Sequence, residues 1–306
     1  MPGRRGVRAA QRIDPASAIA ENIRRRVRAL EIRARALLRE QVVGEFRSAF
    51  RGRGLEFSQI RAYLPGDDVR FIDWNVTARR DAPYIKQFVE ERQRAVLLLV
   101  DVSASEAFGS VGRSVRSYAV EVAGLLGYAA ALSNDRVGAV AFTDRIEYTL
   151  PPKKGPRHVL RMLHDLLALQ PQGAATDLTQ ALDYTGRVAR RGSVIFVLSD
   201  FHSEGWDAAL RRLGLRHDVV ALAIRDPHEA ALPSGGLLWL EDSESAGAIL
   251  VDAGAAGRRF AAAAADQRTA LAQRLRAAGI DSVMLTTDEE YLHKLVALFR
   301  ARMHRQ

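Results

Sequence analysis

Two kinds of hydrophobic spacing alternate along this chain. Short apolar runs stand at 95–101 (AVLLLVD), 136–142 (RVGAVAF), 145–150 (RIEYTL), 193–199 (SVIFVLS), 218–224 (DVVALAI) and 282–286 (SVMLT). These predict strands. Between most of them, apolar residues return every three or four positions, which predicts helices over about 114–132, 156–168, 177–190, 205–213, 258–278 and 289–303. The runs at 95–100 and 194–198 are apolar throughout rather than alternating, as in parallel strands covered by helices on both faces. Only 136–142 and 145–150 are joined by a tight connection, too short for a crossover, so that pair is expected to be antiparallel. The pattern predicts a doubly wound, mostly parallel α/β sheet of the Rossmann type with an antiparallel edge strand.

The ends of the chain read differently. Ile23, Val27 and Leu30 recur at i, i+4, i+7, and Ala34, Leu37 and Leu38 continue the stripe. This predicts one amphipathic helix from Pro15 to about Glu45, preceded by a tail over 1–15. Residues 46–93 are rich in Gly, aromatic and charged residues and hold too little apolar content to fold alone. They are expected to pack on their neighbours as a small accessory β region. "LPGDD" reads as a turn and "YIKQFVEE" as a strand. Residues 237–251 read as a late hairpin. The expected divisions are therefore 1–45, 46–93 and 94–306.

Charge separates the first part from the rest. Residues 1–60 carry 14 Arg against six acidic residues, so nearly all of the net charge of +9 lies there. One reading is a patch for nucleic acid, an anionic membrane or an acidic protein; the other is a solvated Arg-rich helix face. There is no cysteine, which excludes disulfides, thiolate metal sites and cysteine nucleophiles. No apolar run reaches the length of a membrane span, and the N-terminus lacks the apolar core of a signal peptide. These features lead to the expectation of a soluble cytoplasmic protein.

In doubly wound sheets, ligands bind beyond the carboxyl ends of the strands. Three segments stand there: "DVSAS" after the first strand, "GAATDL" opening the helix near 177, and "LSDF" after the strand at 193–199. Enzyme chemistry fits them poorly. There is no Walker loop, no dinucleotide fingerprint and no Gly-x-Ser-x-Gly elbow. A phosphatase with a strand-end Asp nucleophile would place a second acid two residues on, where Ser103 stands. His158, His164, His202, His217, His228, His293 and His304 show no metal-ligand spacing and read as surface or satisfied side chains. A metal-dependent hydrolase using these oxygens lacks a recognisable general base.

A hard cation fits better. Asp101, Ser103 and Ser105 stand at i, i+2, i+4, a spacing that turns their oxygens to one side of a strand end. With Thr176 and Asp200 they offer two carboxylates and three hydroxyls, which suits a hard divalent cation such as Mg²⁺ with one position open. Two carboxylates roughly neutralise the ion, and an acidic side chain from a partner would complete the shell.

The constellation "DVSAS…GAATDL…LSDF" resembles the metal-ion-dependent adhesion site of von Willebrand factor type A domains. In that family Asp-x-Ser-x-Ser, a distant Thr and a distant Asp hold Mg²⁺ or Mn²⁺. By position, Asp101, Ser103, Ser105, Thr176 and Asp200 match. The preceding "GDD-R-IDW-TAR" pattern, with Asp67, Asp68, Arg70, Asp73, Trp74 and Arg79, is similar to that of the bacterial domain-of-unknown-function family 58. There it precedes a type-A-like domain, and the resemblance runs from about residue 44 to the end. It implies a non-enzymatic partner of a MoxR-type AAA+ ATPase, acting with it on client proteins in assembly or maturation. For the segment 64–80 itself, one reading is a second functional surface; the other, which is the expectation, is a set of salt bridges and a buried Trp pinning the accessory layer to the sheet. One departure is Glu106, where adhesion sites often carry Met or another uncharged residue. An acid there would tighten metal binding, act as an internal ligand, or point to solvent.

Overall fold

Strand β3 (Ala95–Asp101) is buried along its whole length, and its alternate side chains enter two different cores. Val96, Leu98 and Val100 face one side of the sheet, and Leu97 and Leu99 face the other. The computed structural model describes residues 15–38, 40–50, 60–64, 72, 74–78, 83–86, 94–110, 112–232, 236–241 and 248–305.

Among these residues, the chain begins with α1 (Pro15–Leu37), α2 (Glu40–Ala49), β1 (Ile60–Ala62), α3 (Trp74–Thr77) and β2 (Tyr84–Lys86). After β3 come α4 (Val115–Leu132), β4 (Arg136–Phe142), β5 (Ile146–Lys154), α5 (Pro156–Ala168), α6 (Leu178–Val188) and β6 (Val194–Ser199). Next are α7 (Asp207–Gly214), β7 (Asp218–Arg225), β8 (Leu237–Glu241), β9 (Ala248–Asp252), α8 (Ala253–Ala277), β10 (Asp281–Thr286) and α9 (Leu292–Met303).

The main sheet has the order β10-β7-β6-β3-β4-β5. Every neighbouring pair is parallel except β4 with β5, the antiparallel edge expected from the short connection. Chain order runs outward from β3 through β4 to β5 on one side. It resumes at β6 and runs outward through β7 to β10 on the other. The strand order reverses between β3 and β6, and beyond the carboxyl ends of these two strands lies the usual binding position in such sheets. Helices α1, α2, α4, α5 and α9 contribute to the core on one face, and α6, α7 and α8 to the other.

Several boundaries differ from the sequence expectation. The single helix predicted for 15–45 is two helices, because they pack in different places. Leu30 and Ala34 of α1 sit against the α4–α5 side, whereas Phe46 of α2 and Phe50 just after it pack on Phe196 and Phe299. One straight rod cannot reach both places. Helix α8 begins at Ala253, ahead of the expected 258, directly after β9; Asp252 Oδ1 accepts the Gly254 N–H there. The expected hairpin is present as β8 paired antiparallel with β9. The Arg face of α1 is not bare. Arg24 pairs with Glu21, Arg35 with Glu31, and Arg33 with Glu121 and Glu290, while Arg26 donates to Ser117.

In the accessory region, β1 and β2 form a separate antiparallel pair. Trp74 is 70% exposed, so it is not the buried pin expected of it. A one-turn helix beside a two-stranded ribbon has too little surface to enclose an indole. Asp67, Asp68, Arg70, Asp73 and Arg79 lie outside the described residues, as do 1–14. His217 also departs from the sequence expectation. It is buried and neither ring nitrogen has a hydrogen-bond partner, so it is neither a surface nor a satisfied residue.

Candidate metal centre

Asp101 closes β3, and Asp200 follows the last residue of β6. The two strands pair in register through Val100 and Leu198, so both carboxylates emerge at the same level beyond the strand ends. Asp101 is held by three donors. Its Oδ1 accepts the Ser103 N–H at 3.1 Å and the Ser103 hydroxyl at 2.7 Å, and its Oδ2 accepts the Ser199 hydroxyl at 2.8 Å. Ser103 Oγ also lies 3.1 Å from Ser105 Oγ, so the first three predicted residues form one bonded cluster.

Asp200 is fixed by a sharp exit from the strand. Its Oδ1 accepts the His202 N–H at 2.9 Å. Phe201 between them has φ of 58°, a left-handed conformation that costs a non-glycine residue roughly 1–2 kcal/mol. The Ser199 hydroxyl accepts the Phe201 N–H, and the Phe201 ring is buried edge-on against Trp206. These contacts hold the strained turn that positions Asp200.

Thr176 arrives on the loop before α6 and is half-buried. The Ala104 N–H donates to the Ala174 carbonyl at 3.0 Å, which ties this loop to the backbone between Ser103 and Ser105. The Gly173 N–H donates to Glu147, and the Asp177 N–H donates to the Thr143 carbonyl. The segment carrying Thr176 is thus docked on the same strand ends as the other predicted ligands.

Glu106 is the feature that sequence left open. It sits in a 3-10 turn, Ser105–Ala107, and its side chain is buried rather than turned to solvent. Asp101, Glu106 and Asp200 each bring one carboxylate oxygen to within 4.8 Å of the other two. Burial, reinforced by the Asp200 charge, pushes the Asp101 carboxyl up to about 7 against the pull of its Ser103 and Ser199 hydrogen bonds. Burial also raises Glu106 well above the carboxylate range, with Asp101, Asp200 and Glu229 adding to it. Crowding of this kind favours a shared proton or a bound cation. The donors are all hard oxygens, which fits Mg²⁺, Mn²⁺ or Ca²⁺ rather than a soft metal.

Ser199 also escaped the sequence reading. Its signal was a hydroxyl residue closing an otherwise apolar strand beside a strand-end Asp. His202, next but one to Asp200, turns its ring to Glu229 and Arg225.

A match to the family described as "Protein of unknown function DUF58" spans residues 59–270. The chain belongs to this family. The full-length resemblance is broader than that match: "Uncharacterized protein Rv1480" of Mycobacterium tuberculosis is 32% identical over 280 residues. That alignment covers 90% of this chain and 88% of the relative, and "Uncharacterized protein Mb1516" of Mycobacterium bovis aligns equally well. The "Uncharacterized protein YeaD" of Bacillus subtilis is 28% identical over 109 residues, 36% of this chain and 25% of its own length. Among solved structures, the conserved hypothetical protein BatB from Bacteroides thetaiotaomicron matches 70% of this chain and all of its own. Its identity is 18% and the TM-score 0.46. The SpRpn10 VWA domain matches 67% of this chain and 94% of its own, at 12% identity and a TM-score of 0.36. Likenesses this distant carry no functional weight for the DUF58 chain. No described helix is long and apolar enough to cross a membrane.

Proposed function

We propose that this DUF58 protein is a non-enzymatic cytoplasmic adaptor. It binds protein partners through a divalent cation, Mg²⁺ or Mn²⁺, held by Asp101, Ser103, Ser105, Thr176 and Asp200. The observation that carries this reading is the meeting of the Asp101 and Asp200 carboxylates at the carboxyl ends of β3 and β6, where the sheet reverses, with the two serine hydroxyls bonded beside Asp101. The cation offsets the buried negative charge and gives partners a Lewis-acidic point for an acidic side chain. A reaction is disfavoured by what surrounds the hydroxyls. Ser103 donates to a carboxylate rather than to an imidazole, and the ring of His202 is engaged by Glu229 and Arg225.

The family resemblance supports a MoxR-type AAA+ ATPase as the partner, acting with this chain on a client protein. The test is co-purification of the ATPase or client in Mg²⁺, in EDTA, and with Asp101→Ala. Binding is expected only in the first condition. Equal recovery in all three would end the metal-bridge mechanism.

A further inference from the structure

Glu106 is the carboxylate of this cluster with the least to hold it. Asp101 is oriented by three hydrogen bonds and Asp200 by one, whereas neither oxygen of Glu106 makes a hydrogen bond of ordinary geometry. The nearest offset to its burial is the Asp200 backbone N–H. Yet the side chain is 1% exposed and one oxygen stands within 4.8 Å of an oxygen on each aspartate. Its backbone is fixed by the 3-10 turn, in which the Glu106 N–H donates to the Ser103 carbonyl and the Ala107 N–H to Ala104. The turn therefore drives this side chain inward beside two like charges.

Unpaired buried carboxylates are rare because desolvation is costly. This one caps no helix and bridges no arginine. A cation is the partner its surroundings provide for. Around an ion with oxygen bonds of about 2.1 Å, ligand oxygens lie about 3–4 Å apart, so small adjustments bring the three carboxylates onto one ion.

We infer that Glu106 is a resident ligand of the cation, so that this chain closes from within the coordination position that an adhesion site leaves to its partner. The inference rests on the cation reading above and refines it. Three carboxylates with the hydroxyls of Ser103, Ser105 and Thr176 make six oxygen donors, the number Mg²⁺ takes. Their net charge with a divalent ion is −1 rather than zero. A partner's acid then has to displace Glu106, because a fourth carboxylate at this ion is repelled.

The test is Mn²⁺ titration of the full chain, followed by electron paramagnetic resonance and water-proton relaxation, for wild type, Glu106→Gln, Glu106→Met and Asp101→Ala. Wild type is expected to bind Mn²⁺ with at most about one water on the ion, six being the full octahedral count. Both Glu106 variants are expected to bind at least tenfold more weakly, with about one additional water, and Asp101→Ala is expected to lose binding. Thermal unfolding without metal monitors the fold of each variant. If wild type binds Mn²⁺ and both folded Glu106 variants match it in affinity and hydration, Glu106 is not a ligand and the cation reading stands. Three or more waters on the wild-type ion overturn the inference without any variant. If wild type takes no Mn²⁺, the cation reading and the inference fall together.

Discussion

The Ser199 hydroxyl donates to Asp101 Oδ2 at 2.8 Å and joins the ends of the two strands between which the sheet reverses. The bond is buried and leaves Asp101 Oδ1 to Ser103. Outer-shell donors of this kind orient a ligand carboxylate, and their removal typically costs 10–100-fold in metal affinity. Ser199→Ala is therefore expected to weaken Mn²⁺ binding about tenfold and to lower stability by about 1 kcal/mol. Isothermal titration and urea unfolding check the two effects. Unchanged Mn²⁺ affinity would show that Ser199 serves packing alone.

Asp101 tests the balance of charge at the strand ends. Its carboxylate is buried beside Asp200 and Glu106. Asp101→Asn removes one of three crowded charges, and the Ser199 hydroxyl can turn to accept from the new amide. In EDTA at pH 8 the variant is expected to be more stable than wild type, by about 1–3 kcal/mol. In saturating Mg²⁺ the order reverses, because only wild type gains the stabilisation of bound ligand, about 4.1 kcal/mol at a thousandfold excess over Kd. Thermal unfolding of both proteins in both buffers reads the crossing. The same order in both buffers contradicts a metal at this site.

At the opposite end of the sheet, His217 precedes β7 with both ring nitrogens unpartnered. Burial, helped by the nearby Arg216 charge, holds its pKa below the ordinary 6.5. The folded protein therefore keeps His217 neutral while the unfolded chain takes up a proton as pH falls. Since the unfolded state binds more protons, stability is lost progressively from about pH 6.5 downward to the folded-state value. The raised Asp101 carboxyl acts in the opposite direction, taking up a proton in the folded state as pH falls through about 7, so the His217 contribution is read by comparing wild type with His217→Leu. On going from pH 7.5 to pH 5.5 in urea unfolding, His217→Leu is expected to gain stability relative to wild type. An equal change in both proteins would place the acid sensitivity elsewhere.

The sheet was legible because β3 and β6 are apolar at every position but the last, in runs too short for a helix, a pattern that suits a strand covered on both faces. The predicted strand limits at 95–101 and 136–142 match the observed β3 and β4. Asp101 and Asp200 were legible for a related reason: a charged residue ending such a run must lie at the sheet's edge, where crevices form. Glu106 was not, because one residue's twist in a 3-10 turn decides between solvent and the carboxylate cluster, and no periodicity records it. The break between α1 and α2 was hidden too. The apolar stripe runs nearly unbroken from Ile23 to Leu38, and what ends it is the separate aromatic seat for Phe46 and Phe50.

That aromatic seat makes a further prediction. Phe46 is almost fully buried and packs on Phe50, Phe196 and Phe299. Phe196 belongs to β6, the strand that presents Asp200. Phe46→Ala is expected to cost about 3–5 kcal/mol, as for other buried aromatic residues. A chain beginning after residue 50 would leave Phe196 and Phe299 uncovered and is expected to be insoluble or aggregated. Size-exclusion chromatography and urea unfolding read both outcomes. A soluble, monomeric truncated chain with wild-type Mn²⁺ affinity would show that α2 is dispensable to the site.

Gly173 connects the loop of Thr176 to the rest of the fold by close approach. A Cβ there would stand 2.0 Å from Asp144 Oδ1 and 2.2 Å from Thr143 Oγ1, closer than any real contact. Thr143 is buried and cannot retreat, since its carbonyl accepts the Asp177 N–H and its hydroxyl donates to Glu147. Gly173→Ala must therefore lift the loop, straining the Gly173 bond to Glu147 and the Ala104 bond to Ala174. These are loop contacts outside the two cores, so the loss of stability is expected to stay near 1–2 kcal/mol. If Thr176 contributes a ligand oxygen, Mn²⁺ affinity falls about tenfold, and Thr176→Ala produces the same fall without straining the loop. Agreement between the two variants assigns the loss to the hydroxyl. A fall in Gly173→Ala alone would mean that the loop shapes the site while Thr176 leaves the ion to the carboxylates and serines.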